Sequence, residues 1–454
     1  MGLVLTVSAA MTGCAVDQRK EVDQYRQVLD RDVPAVQFHA GQPLSLQEAI
    51  LLANQHNETL GIAGEDYLVA LIEKDRAAGA FMPRITLGPV YSFSEKLGRD
   101  HDNRKLDVPL SARGNLFNGF RDLARFRAAR QSIGQQRAQL LDAQAAVLLD
   151  VAQTYYQVLR SEQSLEVLRN TLKVQDERLR DTRARHDAGL ARPLDVAQTE
   201  AQAASTRADV ILAQTDIQNA RSVLAFLVGA PVHDSPLVDQ AQIPEEIPAL
   251  AALMDDAVRQ RQDLRAAEAA IAVAGQLVKA AVGQYYPSVS LNLTAFLSRD
   301  TDPTDSDWNG LLAVSLPIFS ANEIEADVRR AWSDLRRAKL AESFIRRQVL
   351  QDGEIAWQNV QGNRARLREL AVRVTAAAEA LRQAEQSYLA GFATNLDRLA
   401  AQDELLNAEL QITSARYNQK VAWMNLLRAI GGLSTRLPGE AEPPATRPAT
   451  QPAP

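Results

Sequence analysis

Cys14 is the one thiol in a chain of 454 residues, and a lone thiol excludes an intrachain disulfide and a thiolate metal cluster. The other groups capable of chemistry do not gather. His39, His56, His101, His186 and His233 lie in separate segments, without a ligand spacing such as His-x-x-x-His. No Gly-rich phosphate loop and no Gly-x-Ser-x-Gly turn occurs, so neither a nucleotide cradle nor an activated serine is indicated. Carboxylates are abundant, but they stand at helical spacing from arginines, as on a solvated helix face. The net charge is −6 with a pI near 5.6. No dense Lys/Arg block is interleaved with aromatics, which argues against a nucleic-acid partner. The residues thus point to no enzyme, no metal and no cofactor.

The chemistry that remains is acylation of Cys14. It follows the apolar run Leu3-Val-Leu-Thr-Val-Ser-Ala-Ala-Met11 and the small pair Thr12-Gly13, which resembles the lipobox of bacterial lipoproteins. Small residues before the cysteine fit the extended chain a signal peptidase cleaves. The pattern departs at Met11, where Leu is usual, and no Lys or Arg precedes Arg19. This reading makes residues 1–13 a lipoprotein signal segment and 14–43 a polar lead. No other stretch approaches the 18 or more apolar residues of a transmembrane helix.

The elements that follow are stated twice. Gly189 and Asp195 recur as Gly391 and Asp397, 202 positions on, and the same displacement carries Phe117 onto Phe319, Tyr155 onto Trp357 and Gly229 onto Gly431. Upstream the displacement becomes 204, which sets Leu87 against Leu291. A duplication of this length overrides a domain count taken from chain length. It divides the chain into a first repeat, 44–230, a linker, 231–250, and a second repeat, 251–432. The segment 433–454, rich in Pro, Ala, Thr and Glu, cannot bury a core and reads as a disordered tail.

Within the first repeat, Ser45 and Glu48 have the spacing of a capping box, and Leu46, Ala49, Ile50 and Ala53 open a helical face predicted to run to about Gly79. Met82-Pro83 ends it. The period then changes from 3.6 to 2. Ile85, Leu87, Tyr91 and Phe93 alternate with small polar residues, and Val289, Leu291, Leu293, Ala295 and Leu297 do so in the second repeat. Each strand leads through a polar loop into a return strand, giving hairpins at about 84–116 and 288–319. Four amphipathic strands leave open edges, and strands in a membrane must close into a barrel, so oligomerisation is expected. No proline interrupts the chain between Pro109 and Pro193 or between Pro317 and Pro438. The spacing predicts helices over 118–187 and 320–389, each about seventy residues and on the order of 100 Å. A Gly turn and a return helix of about 35 residues follow each.

This order of motifs resembles the TolC family of outer-membrane efflux and secretion ducts, from about Leu44 to Gly432. The residues carrying the resemblance are Leu44-Ser-Leu-Gln-Glu-Ala-Ile50, the junctions Met82-Pro-Arg-Ile85 and Tyr286-Pro-Ser-Val289, and the tips Ala188-Gly-Leu-Ala191 and Ala390-Gly-Phe-Ala393. It implies a mainly α chain with membrane β: antiparallel helical hairpins forming a periplasmic tunnel, and four strands per protomer contributing to a trimeric twelve-stranded barrel in the outer membrane. It implies an exit duct passively serving an inner-membrane pump through a periplasmic adaptor. Gly189, Leu190, Ala191, Gly391, Phe392 and Ala393 become the adaptor-docking tips, and Asp195, Tyr388 and Asp397 the entrance constriction. The family's gate Arg falls on Ala393 and a second constriction Asp on Ala400, while Arg192 and Arg398 lie near enough in sequence to substitute. The alternative is a periplasmic coiled-coil or adaptor lipoprotein without a channel. An adaptor would carry one helical hairpin, and this chain carries two.

Overall fold

The computed structural model describes residues 17–29, 38–39, 41–94, 103–239, 243–298 and 306–435. Cys14 and residues 436–454 lie outside the described residues, while Leu433 and Thr435, in the segment expected to be a disordered tail, are buried. The chain forms two compact units: Met1–Arg26, Ala63–Leu140 and Gln262–Arg347 in the first, Gln27–Ile62, Leu141–Arg261 and Gln348–Pro454 in the second. In chain order the elements are α1 (Gln18–Leu29), β1 (Leu44–Ser45), α2 (Leu46–His56), α3 (Glu58–Ala78), β2 (Arg84–Leu87), β3 (Val90–Ser94), β4 (Asn103–Asn118), α4 (Arg121–Asp187) and α5 (Pro193–Val228). Then come β5 (Leu237–Val238), α6 (Leu250–Gln260), α7 (Gln262–Val282), β6 (Ser288–Ser298), β7 (Trp308–Ser315), α8 (Glu323–Leu389) and α9 (Asn395–Ala429). The helices α4 and α8 have 67 residues each, and α5 and α9 have 36 and 35.

The first unit holds an antiparallel sheet in the order β2-β4-β6-β7, with β3 also paired to β4. The expected first strand is therefore broken into β2 and β3 at Gly88-Pro89, since Pro89 has no N–H to give the ladder. The last strand stops at Ser315 rather than near Phe319, again just before a proline, Pro317. One face is apolar across all four strand paths: Ile85 opposes Ala112, Leu87 opposes Leu110, Ala112 opposes Leu293, and Leu291 opposes Leu312. The other face is polar and cross-linked. The Ser111 and Thr294 hydroxyls are 3.3 Å apart, and Arg113 Nε donates to Asn292 Oδ1 at 3.3 Å. Within the chain, β2 and β7 are the sheet's outer strands.

Both strand-to-helix junctions turn through left-handed backbone: Gly119 (φ +65°) and Phe120 (+63°) before α4, Ala321 (+47°) and Asn322 (+68°) before α8. The displacement of 202 thus preserves a conformation although glycine survives in only one copy. Gly119 also lies against the backbone of Gly283, with no room for a Cβ between them. Further along, Ala274 and Val278 of α7 pack on Leu335 of α8, supported by Ile271, Val282, Ala331 and Ala338. The span Gln262–Tyr285 has a mean hydropathy of 1.3 and is long and apolar enough to cross a membrane, contrary to the sequence expectation. Its alanine content explains the value, and its apolar stripe is the one packed on α8.

In the second unit, Ser45 N donates to Glu48 Oε2 at 2.8 Å and Glu48 N to Ser45 Oγ at 3.2 Å, completing the expected capping box. β1 and β5 pair in parallel. The buried Tyr155 hydroxyl lies 2.7 Å from Leu44 O and accepts from Val238 N at 3.0 Å, tying both strands to α4. The helix expected from Ser45 to Gly79 is two helices, broken at Asn57, and Arg261 makes the matching break in the second repeat. Each breaking residue reaches the last turn of a return helix: Asn57 Nδ2 donates to Leu227 O at 2.9 Å, and Arg261 Nη1 to Ala429 O at 3.4 Å. Both acceptors are carbonyls that a helix end leaves without an intrahelical partner.

Candidate functional site at the hairpin tips

Each tip is built by one local program. Gly189 (φ +75°) and Gly391 (φ +79°) are left-handed, the conformation that terminates a helix most cheaply when no Cβ is present. Leu190 N then reaches back to Arg185 O at 2.7 Å, and Phe392 N to Ser387 O at 2.8 Å, satisfying carbonyls of the last turn. Leu190 is 79% exposed and Phe392 89%. Ala191 and Ala393 are half-buried beside them.

The two aspartates start the return helices. Asp397 Oδ2 accepts from Thr394 N at 2.8 Å and Thr394 Oγ1 at 2.6 Å, which holds its carboxyl below the usual range. Asp195 accepts from Arg192 N and Nε at 3.1 Å and from Nη2 at 2.8 Å. Those side-chain bonds from Arg192 hold the Asp195 carboxyl low although burial raises it. The caps match, but the surroundings differ: Asp195 is buried and Asp397 exposed.

A polar stitch joins the tips. Asn395 is fully buried; its Nδ2 lies 3.3 Å from both Asp195 O and Thr199 Oγ1, and its Oδ1 accepts from Arg398 Nη2 at 2.8 Å. The Arg398 guanidinium stands 4.4 Å from the centre of the Tyr388 ring, within cation–π range. Below it, Arg178 bonds Gln402 and pairs with Glu385. Burial pushes both arginines below their ordinary value, and Arg178 is lowered further by Arg398. Nε of Arg398 and the Gln175 amide have no protein partner among the described residues.

The structure therefore brings Asp195 and Tyr388 into one cluster through Arg192 and Arg398. It leaves Asp397 outside that cluster, occupied with Thr394. Asn395, Arg178, Gln402 and Glu385 were not singled out from sequence. The readable signal was a position where the two tips differ sharply, Pro193 against Asn395.

The sequence profile described as "Outer membrane efflux protein" matches residues 69–230 and 253–432. The chain belongs to the outer membrane efflux protein family. Among family relatives, outer membrane efflux protein BepC of Brucella suis biovar 1 (strain 1330) is 26% identical over 401 residues, covering 86% of each chain. Outer membrane protein TolC of Escherichia coli (strain K12) is 22% identical over 413 residues, 87% of this chain and 83% of that one. Among solved structures, the outer membrane protein VceC from Vibrio cholerae shares the fold with a TM-score of 0.76 and 23% identity, over 85% of this chain and 96% of that one. Outer membrane efflux proteins reside in the outer membrane and work as trimers with adaptor and inner-membrane pump partners.

Proposed function

We propose that the chain is the exit duct of a tripartite efflux or secretion system, a homotrimer that closes twelve strands into a barrel and conducts substrate passively from a pump and adaptor. The observation that carries this reading is the sheet, whose apolar face crosses every strand and whose outer strands β2 and β7 remain to be paired. Unpaired backbone at membrane depth costs several kcal/mol per group, roughly, so closure by further copies is the stable solution. In this reading Gly189, Leu190, Ala191, Gly391, Phe392 and Ala393 form the adaptor-docking surface. Asp195, Tyr388 and Asp397 line the entrance, and the Arg192–Asp195 and Arg398–Tyr388 contacts take the place of the missing latch arginine. The chain itself catalyses nothing.

Single-channel recording tests the duct. Trimers in a planar bilayer should pass a small ion current, and Arg192→Ala with Arg398→Ala should raise it by roughly threefold or more, because each arginine braces its own tip, Arg192 through Asp195 and Arg398 through the Tyr388 ring. A stable, non-conducting monomer with intact β signal would sink the reading.

Cys14 carries a lipid anchor in this proposal, supported by the apolar run and Thr12-Gly13 before it. Fatty-acid label on the native protein should vanish in Cys14→Ser. Unlabelled wild type would end that part of the proposal and leave the barrel untouched.

A further inference from the structure

The first ten residues of α4 contain four arginines, Arg121, Arg125, Arg127 and Arg130, against one acid, Asp122. The dipole acts within the first turn, where Asp122 offsets Arg121, so Arg125, Arg127 and Arg130 lie beyond its reach and leave a net positive patch, whereas α8 opens with Glu323 and Glu325. A net positive patch with no role in the helix itself calls for another use. Arg121 is engaged, donating from Nε to Asn118 O at 3.0 Å. Arg125, Arg127 and Arg130 are exposed and make no ion pair among the described residues.

Their place in the sheet narrows what they meet. α4 continues from β4, an inner strand with β2 and β3 on one side and β6 on the other, all from the same chain. Edge-to-edge closure between copies involves β2 and β7, so the first turns of α4 are not where copies join. Directly on the strand side stand exposed aromatics: Phe81, Phe120, Tyr285, Tyr286 and Phe319. Phe120 projects from a left-handed backbone that bulky residues rarely adopt. Its ring meets Phe117 edge-on at 5.0 Å, and Phe81 meets Phe126 at 6.0 Å. Aromatics at the ends of membrane strands mark the level where hydrocarbon gives way to headgroups. At a rise of about 1.5 Å per residue, Arg125 to Arg130 lie about 6 to 14 Å along α4 from Arg121. That places them in the headgroup layer or within about one Debye length of it.

We propose that Arg125, Arg127 and Arg130 form a collar that binds anionic phospholipid headgroups of the periplasmic leaflet, with the aromatics below them seated at the hydrocarbon boundary. The collar rests on the reading that the sheet spans the outer membrane. Its effect is to fix the depth of the barrel and to gather anionic lipid around it.

The test uses full-length trimer purified in neutral detergent, offered mixed micelles of phosphatidylglycerol or phosphatidylcholine, with retained lipid counted by native mass spectrometry. A cation beside an anionic lipid surface contributes about fivefold. Wild type should therefore prefer phosphatidylglycerol by at least about tenfold at low salt, and Arg125→Gln/Arg127→Gln/Arg130→Gln should bring the preference near parity with trimer yield unchanged. Arg137→Gln, about 24 Å from Arg121 along the same helix, should leave it intact. The collar is refuted if the triple variant keeps the preference, if Arg137→Gln lowers it equally, or if preference and trimer disappear together. Wild type that forms no trimer with β signal would instead overturn the spanning sheet, and the collar with it.

Discussion

Gly119→Val should abolish the trimer in membranes and detergent extracts. A Cβ at Gly119 would lie 2.1 Å from Gly283 O and 2.8 Å from Tyr286 Cβ, and a carbonyl oxygen cannot rotate away as a side chain can. The reciprocal position is as tight, for a Cβ on Gly283 would come within 2.5 Å of Gly119 O. Nor can the backbone slide, because the adjoining pair Asn118 and Ser288 is in register at the end of β4 and β6. The left-handed φ adds about 1–2 kcal/mol for a residue with a Cβ, and overpacking against backbone about 1–3 kcal/mol or more. Together these take a large part of a typical stability of about 5–15 kcal/mol. Gly134→Ala, in open space within α4, is the control and should assemble normally. Trimer yield measured by native gel decides. Normal yield for Gly119→Val would show the junction to be far softer than its geometry.

Leu190→Ser combined with Phe392→Ser should cut export at least tenfold while trimer yield stays constant. Both residues project from tight turns whose backbone hydrogen bonds do not involve the side chain, so folding loses little. A docking partner loses more: fully burying each apolar side chain is worth about 1.5–3 kcal/mol, and two such contacts correspond to a hundredfold or more in affinity. Parallel assays of transport and trimer content check the result. Unchanged export would reduce the tips to mere caps, and a lost trimer would give them a folding role.

The order of helices and strands was legible because its signals are local. Proline positions, the switch from period 3.6 to 2, the Ser45–Glu48 box and the two tip glycines each fix a boundary without reference to distant residues. The breaks at Asn57 and Arg261 were not legible. Both positions sit within helical patterns, and what stops the helix is a side chain reaching a carbonyl some 170 residues away in sequence. The tip cluster was half legible for the same reason. Asp195 and Tyr388 were named by the family resemblance, whereas Asn395 gains its role from Asp195 O and Thr199, distant in sequence, which helical packing brings within hydrogen-bond distance. The arginines of α4 were visible as letters, yet their meaning depends on β4 being an inner strand.

The unequal burial of Asp195 and Asp397 carries a consequence for stoichiometry. In the trimer proposed above, two tips on each chain would give six hairpin ends of one backbone geometry, so a partner that reads backbone and the exposed Leu190 or Phe392 would count six seats. A partner that reads side chains counts three of one kind, with the carboxylate enclosed, and three of another, with the carboxylate in water. Neighbouring copies of such a partner would therefore occupy chemically distinct seats in strict alternation, and a ring of six would behave as a trimer of unlike pairs.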